Sequence, residues 1–147
     1  MDTRQKLEDG LKDAMRSGDQ TAKNVIRLVL TNLKFIEVDH GKQDESGVVA
    51  LIHKEIKMRQ ESIHEAEKGE RQDIIEKNEI EIKFLETFLP KQISEAELRN
   101  MVNEVIAQTG ASSMKDMGTV MKALSARVQG QAPNNLVSQI VKELLSK

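Results

Sequence analysis

Histidine is the side chain best suited to acid-base or metal work near neutral pH, and this sequence has three, His40, His53 and His64. On a helix, the spacing of His53 and His64 puts them nearly on one face. Three turns still separate them by roughly 16 Å, too far for a shared metal ion. Both read as surface histidines, and His40 beside Asp39 has no nucleophile to activate. Carboxylates are the next candidates for paired acid-base chemistry, notably Glu61, Glu65, Glu67, Glu79, Glu81 and Glu86. Lys and Arg are interleaved with them, which is the pattern of a solvated helical face. With no Cys the chain has no thiolate nucleophile, disulfide or cysteine zinc site. Gly69, Gly110, Gly118 and Gly130 are single glycines without phosphate-loop spacing. The residues therefore predict no catalytic group, no metal and no cofactor.

What remains is a surface able to meet an anion. Residues 111 to 147 carry 5 Lys and Arg against 2 Asp and Glu, whereas residues 1 to 90 carry 15 against 19, within a net charge of −2. Lys115, Lys122 and Arg127 stand off the apolar stripe of their segment and form a modest basic surface. There is no Trp or Tyr and there are 3 Phe, so the stacking platforms used on single-stranded RNA are missing and any nucleic-acid contact must be electrostatic or shape-based. Gly118 interrupts a helical pattern, at about 1 kcal/mol relative to alanine. It either lets another helix pack close or leaves backbone open to a phosphate. Met114, Met117 and Met121 could make an adaptable binding stripe, but their spacing reads as helical core.

The elements that must position these groups follow from apolar periodicity. Leu7, Leu11, Ala14 and Met15 predict a helix over residues 2 to 17, ending near Gly18, and Val25, Ile26, Val29, Leu30, Leu33 and Ile36 predict a central one ending near His40-Gly41. Asp44 caps a third, running to about Lys68 on Val49, Ile52, Ile56, Ile63 and Ala66. Past Gly69, a fourth runs through Ile74, Ile75, Ile82, Leu85, Phe88 and Leu89. Helices three and four form a long antiparallel hairpin that can project from the bundle. Pro90 stops the fourth helix, and Ser94 with Glu97 predicts a capping box opening the next, with Ile93 and Leu98 as its hydrophobic staple. Leu98, Met101, Val102, Val105 and Ile106 then give a clean stripe closed by Gly110. A helix opened by Ser113 and Asp116 follows, with Met114, Met117, Val120, Met121, Leu124 and Val128 inward. Gly130 ends it and Pro133 begins the last helix, which carries Leu136, Val137, Ile140, Val141, Leu144 and Leu145. The expectation is an all-α protein: an N-terminal helical domain with a long hairpin over 1–90 and a compact three-helix domain over 91–147.

The run from Gly110 to Met121, with Gly130, the Leu136-Val137 helix, Val25-Ile26-Arg27, Lys57 with Arg59 and Ser62, and Leu89-Pro90-Lys91-Gln92, resembles the YqeY family. That family is related to the C-terminal tail of GatB, a component of the aspartyl/glutamyl-tRNA amidotransferase. The resemblance covers nearly the whole chain and implies the same all-helical, two-part fold. It also implies that the tail, which helps hold tRNA in the amidotransferase, is an RNA-facing surface here, with Lys115, Lys122, Arg127, Gln129, Gln131 and Asn134 as contacts and Gly118 and Gly130 as close-packing or backbone-access glycines. The family label of a carbon-nitrogen ligase with glutamine as amido-N-donor is implied only by inheritance, because the amidotransferase's ammonia-producing and ATP-dependent parts have no counterpart in this sequence. Similar proteins often have basic residues around the glycine before the last helix, with an Asp cap after it. Here that turn reads Gln129-Gly130-Gln131-Ala132-Pro133-Asn134-Asn135, whose amides can still bond phosphate or ribose.

Two functions are open at this point: a non-catalytic helper that binds tRNA or a tRNA-handling enzyme, and a helical protein-interaction module with no RNA role. The N-terminal helices offer a surface for oligomerisation. No apolar run reaches the roughly 20 residues of a membrane span, and the N-terminal residues lack a signal-peptide core, so a cytoplasmic location is expected.

Overall fold

The structure is a computed structural model and describes residues 2–146. Among these residues, seven α-helices and one 3-10 turn follow in order: α1 Thr3–Ser17, α2 Gln20–His40, α3 Glu45–Lys68, α4 Gln72–Glu86, α5 Glu95–Thr109, the 3-10 turn Met114–Asp116, α6 Met117–Val128 and α7 Asn134–Leu145. No strand occurs among the described residues, so the fold is all-α. The chain divides into two compact units, Met1–Leu89 and Pro90–Lys147.

Helix starts are written by short polar side chains. Asp2, Asp19 and Asp44 accept from the amides of Gln5, Ala22 and Gly47, each three residues on, at 2.7, 3.1 and 2.9 Å. Ser94 accepts from Glu97 N at 3.1 Å, so the serine half of the predicted box forms. The complete box lies at Ser113 and Asp116, where it opens the 3-10 turn rather than α6 itself. Gly18 and Gly110 end α1 and α5 at φ of 76° and 70°, a left-handed geometry that a Cβ would strain.

The core of the first unit is built from Leu7 of α1, Val25, Ile26, Val29 and Leu33 of α2, and the first half of α3 through Val48, Leu51, Ile52 and Ile56. Leu85 and Phe88 close it, with the Phe88 ring edge-on to Phe84 at 5.2 Å. Each fully buried Leu or Ile contributes about 1.5–3 kcal/mol of transfer free energy. Beyond Arg59, Ala66 is the one fully buried residue of α3. The second unit has its own core, in which Leu98, Val102 and Val105 of α5 meet Val120, Leu124 and Val128 of α6 and Val137, Ile140, Val141 and Leu145 of α7. Its leading segment is fastened to the α6–α7 turn: Ile93 N donates to Gln131 O at 3.0 Å, and the Gln92 side chain bonds Pro90 O at 2.8 Å and Gly130 O at 3.0 Å.

Four sequence expectations need correcting. Met15 and Met114 are exposed rather than inward, and Met117 and Met121 are only half-buried, so the methionines edge the core instead of filling it. Pro133 takes the capping position and α7 begins at Asn134. Gly118 is not a close-packing glycine within this chain, since a Cβ there meets nothing within 4 Å. Glu81 is not solvated; its partners are described next.

Candidate functional site

Two places gather polar groups, one in each unit. On the second unit, Lys115 lies in the 3-10 turn and Lys122 on α6, both exposed and without an ion pair among the described residues. Gln129 follows Lys122 by seven residues, two helical turns, and so shares its stripe about 10 Å along. It caps α6 at φ 46°, a left-handed conformation uncommon for a residue with a side chain. Arg127 is turned about 140° away from Lys122 around the helix. It is tied to Glu104 of α5 at 2.8 Å, so its charge is already met. The backbone of Gln131 is engaged, its N–H with Val128 O at 2.9 Å and its carbonyl with Ile93. Gly130, at φ 78°, presents its carbonyl to Gln92. Asn134 is exposed at the start of α7, whose first turn has no side-chain cap. The predicted contacts thus split: Lys115 and Lys122 are exposed and without an ion pair among the described residues, Gln129 caps α6, Asn134 begins the next helix, and Arg127 is occupied.

The second place escaped sequence reasoning. Glu55 and Arg59 of α3 are 3% and 7% exposed, yet both are ionisable. Arg59 Nη1 donates to Glu55 Oε2 at 2.9 Å and to Glu55 O at 3.0 Å, while its Nε donates to Glu81 Oε1 of α4 at 3.0 Å. Asn32 of α2 donates to the other Glu55 oxygen at 2.8 Å. The guanidinium therefore joins α3 to α4, and the Glu55 carboxylate carries the network on to α2. Beside it lies a cleft of about 380 Å³ with Arg59 and Glu81 beneath and Val25, Leu28 and Ile80 around. The signal was present in the sequence, because Glu55 and Arg59 continue the inward stripe of Ile52, Ile56 and Ile63. A charged pair spaced i, i+4 at inward positions marks a buried pair.

At the open corner of the first unit, Arg4 forks the Glu37 carboxylate at 3.1 and 2.5 Å and also bonds Gln43 O at 3.0 Å. The Arg4 hydrogen bonds, followed by the amide of Gln43 at 2.7 Å, hold the Glu37 carboxyl below its usual range. Thr3 meets Glu45 through both its N–H and its hydroxyl. His53 is half-buried and His64 exposed. Among the described residues no group of three His, Cys, Asp or Glu could hold a metal ion, and no helix is long and apolar enough to cross a membrane.

The family model described as Yqey-like protein matches residues 4–145. The chain belongs to the YqeY family. Among curated proteins it is similar to the altered inheritance of mitochondria protein 41, mitochondrial, of Vanderwaltozyma polyspora, 31% identical over 120 residues covering 76% of this chain and 64% of that protein. The protein of the same name from Lachancea thermotolerans is 33% identical over 117 residues, covering 77% and 63%. That from Clavispora lusitaniae is 30% identical over 155 residues, covering 96% and 88%. This YqeY-family chain thus spans less than two thirds of the length of the first two relatives. The relatives carry mitochondrial names, and that finding overturns the expectation of a cytoplasmic location.

Proposed function

We propose that this YqeY-family protein is a non-catalytic helper of tRNA metabolism that meets RNA phosphates through the outer face of α6 and the start of α7. The observation that carries the reading is the set of polar groups there without partners among the described residues: the ammonium groups of Lys115 and Lys122, and the backbone amides of Asn134 and Asn135 at the start of α7. The likeness of this segment to the tRNA-holding tail of GatB supports RNA as the anion. Arg127 is a minor contributor, because binding a phosphate would require it to leave Glu104.

Fluorescence anisotropy with labelled, unfractionated tRNA tests the proposal. Log affinity is expected to fall with log salt by roughly 0.7 to 0.9 per phosphate contact, so two lysines give a slope of roughly −1.4 to −1.8. Lys115→Glu with Lys122→Glu is expected to abolish binding while leaving helicity intact, since both side chains are exposed. Gly118→Ala separates backbone access from a merely tolerated glycine. It has room for its Cβ and should raise stability by up to about 1 kcal/mol. A loss of tRNA affinity alongside that gain would place the phosphate at this backbone. No binding at low salt, or binding indifferent to the double lysine change, would leave the protein-interaction reading in its place.

A further inference from the structure

We propose, resting on the RNA reading of this face, that the anion met by α6 is double-helical RNA, held across its shallow minor groove and recognised by shape rather than by sequence.

What the second unit lacks narrows the form of RNA. Phe35, Phe84 and Phe88 are the chain's aromatic residues, and all three belong to the first unit, as do His40, His53 and His64. The one guanidinium on α6, that of Arg127, is tied to Glu104. No ring is therefore present on which an unpaired base could stack, whereas proteins that hold single strands without sequence preference combine a basic track with such rings. A single strand would gain phosphate contacts alone, and would lose backbone freedom on being pinned at fixed points. A duplex brings its phosphates already ordered and densely spaced. From Met117 to Lys142 the chain carries no Asp or Glu, so no carboxylate on α6 or at the start of α7 opposes them.

The relief of α6 selects the groove. Lys122 has Gly118 and Ala126 one turn to either side, and Thr119 and Ser125 beside it; all four are small and exposed. The opposite side of the helix is packed into the core through Val120, Leu124 and Val128. A low face with one long cation is what α6 offers. The major groove of B-DNA, about 8.5 Å deep, must be entered by a helix whose side chains reach base edges, and those around Lys122 are too short for that. The minor groove of A-form RNA is wide and shallow and displays 2′-hydroxyls, which both donate and accept. The Thr119 hydroxyl has no hydrogen bond among the described residues. That of Ser125 donates to Met121 O at 3.0 Å and keeps its capacity to accept. Short hydroxyls suit sugars at the surface of a shallow groove, and the longer Lys122 suits a phosphate at its edge.

The test is fluorescence anisotropy of the full chain at low salt with four labelled probes: unfractionated tRNA, an RNA duplex of about 20 base pairs, one of its strands alone, and the DNA duplex of the same sequence. The tRNA and the RNA duplex are expected to bind alike, and the single strand and the DNA duplex each about tenfold more weakly. Thr119→Val, which keeps the shape and removes the hydroxyl, is expected to weaken the RNA duplex about fivefold, the worth of one hydrogen bond, and to leave the DNA duplex unchanged. Ala126→Leu, which raises the low face without altering charge, is expected to weaken the RNA duplex and spare the single strand. Both positions are exposed, so helicity is expected to be unchanged. With tRNA still bound, a single strand or a DNA duplex as tight as the RNA duplex, no binding of the RNA duplex, or a duplex indifferent to both substitutions would overturn this inference and leave the RNA reading standing. No binding of any probe would overturn both.

Discussion

Arg59 is the residue whose removal should cost this protein most per atom. Replacing it with Met leaves Glu55 and Glu81 facing each other without a cation, and breaking a buried pair in this way costs about 3–5 kcal/mol. The expected result is a large drop in the urea midpoint with an unchanged slope, and a smaller drop when Glu55→Gln is added, because removing one stranded charge relieves part of the loss. Additive effects in the double variant would show that the two side chains do not act as one unit. The same residue shows why legibility differed from place to place. Asp44 and Ser94 were readable as caps because each bonds an amide three residues ahead, which a sequence displays directly. The Arg59 network closes through Asn32 and Glu81, each more than twenty residues from its partner, and no local pattern states that these three helices converge.

At the scale of elements, the Arg4–Glu37 fork joins the start of α1 to the end of α2, and Gln43 carries the join into the loop before α3. Its pH dependence has a definite sign. The Glu37 carboxyl is held low, first by the Arg4 hydrogen bonds and then by the Gln43 amide, so the contact stabilises the fold above the unfolded carboxylate's pKa of about 4.3. That contribution is lost as pH falls through the lowered value. Carboxyl carbon shifts should therefore show Glu37 titrating below the ordinary carboxylate range, and Arg4→Met should move it back toward that range, with the Gln43 amide still holding part of the lowering, and flatten that part of the acid-unfolding curve. A Glu37 midpoint unmoved by Arg4→Met would assign the depression to other groups. The helices were legible because glycine and proline punctuate them and apolar stripes fill them. The break between the 3-10 turn and α6 was not, since the Ser113 box announces a helical start without specifying how tightly the first turn winds.

On the scale of the whole molecule, the second unit holds a complete core drawn from α5, α6 and α7, which supports the proposal that it folds alone. A fragment of residues 90–147 is expected to unfold cooperatively. Starting at residue 94 instead discards the Ile93 and Gln92 bonds to the α6–α7 turn. At about 1 kcal/mol per hydrogen bond and several degrees per kcal/mol in a domain of this size, the shorter fragment should melt measurably lower. Equal melting temperatures would show that the leading segment adds nothing. In the first unit, the half of α3 before Arg59 is sunk in the core and the half after it buries Ala66 alone. Expressed as time rather than shape, the helix should keep two clocks. Amides between Arg59 and the tip at Lys68, with their neighbours in early α4, should exchange with deuterium through small, frequent openings, while those from Val48 to Ile56 wait for the whole unit to unfold. The guanidinium bridge to Glu81 marks where one regime gives way to the other, so a mid-helix ion pair becomes the latch of a fraying hairpin.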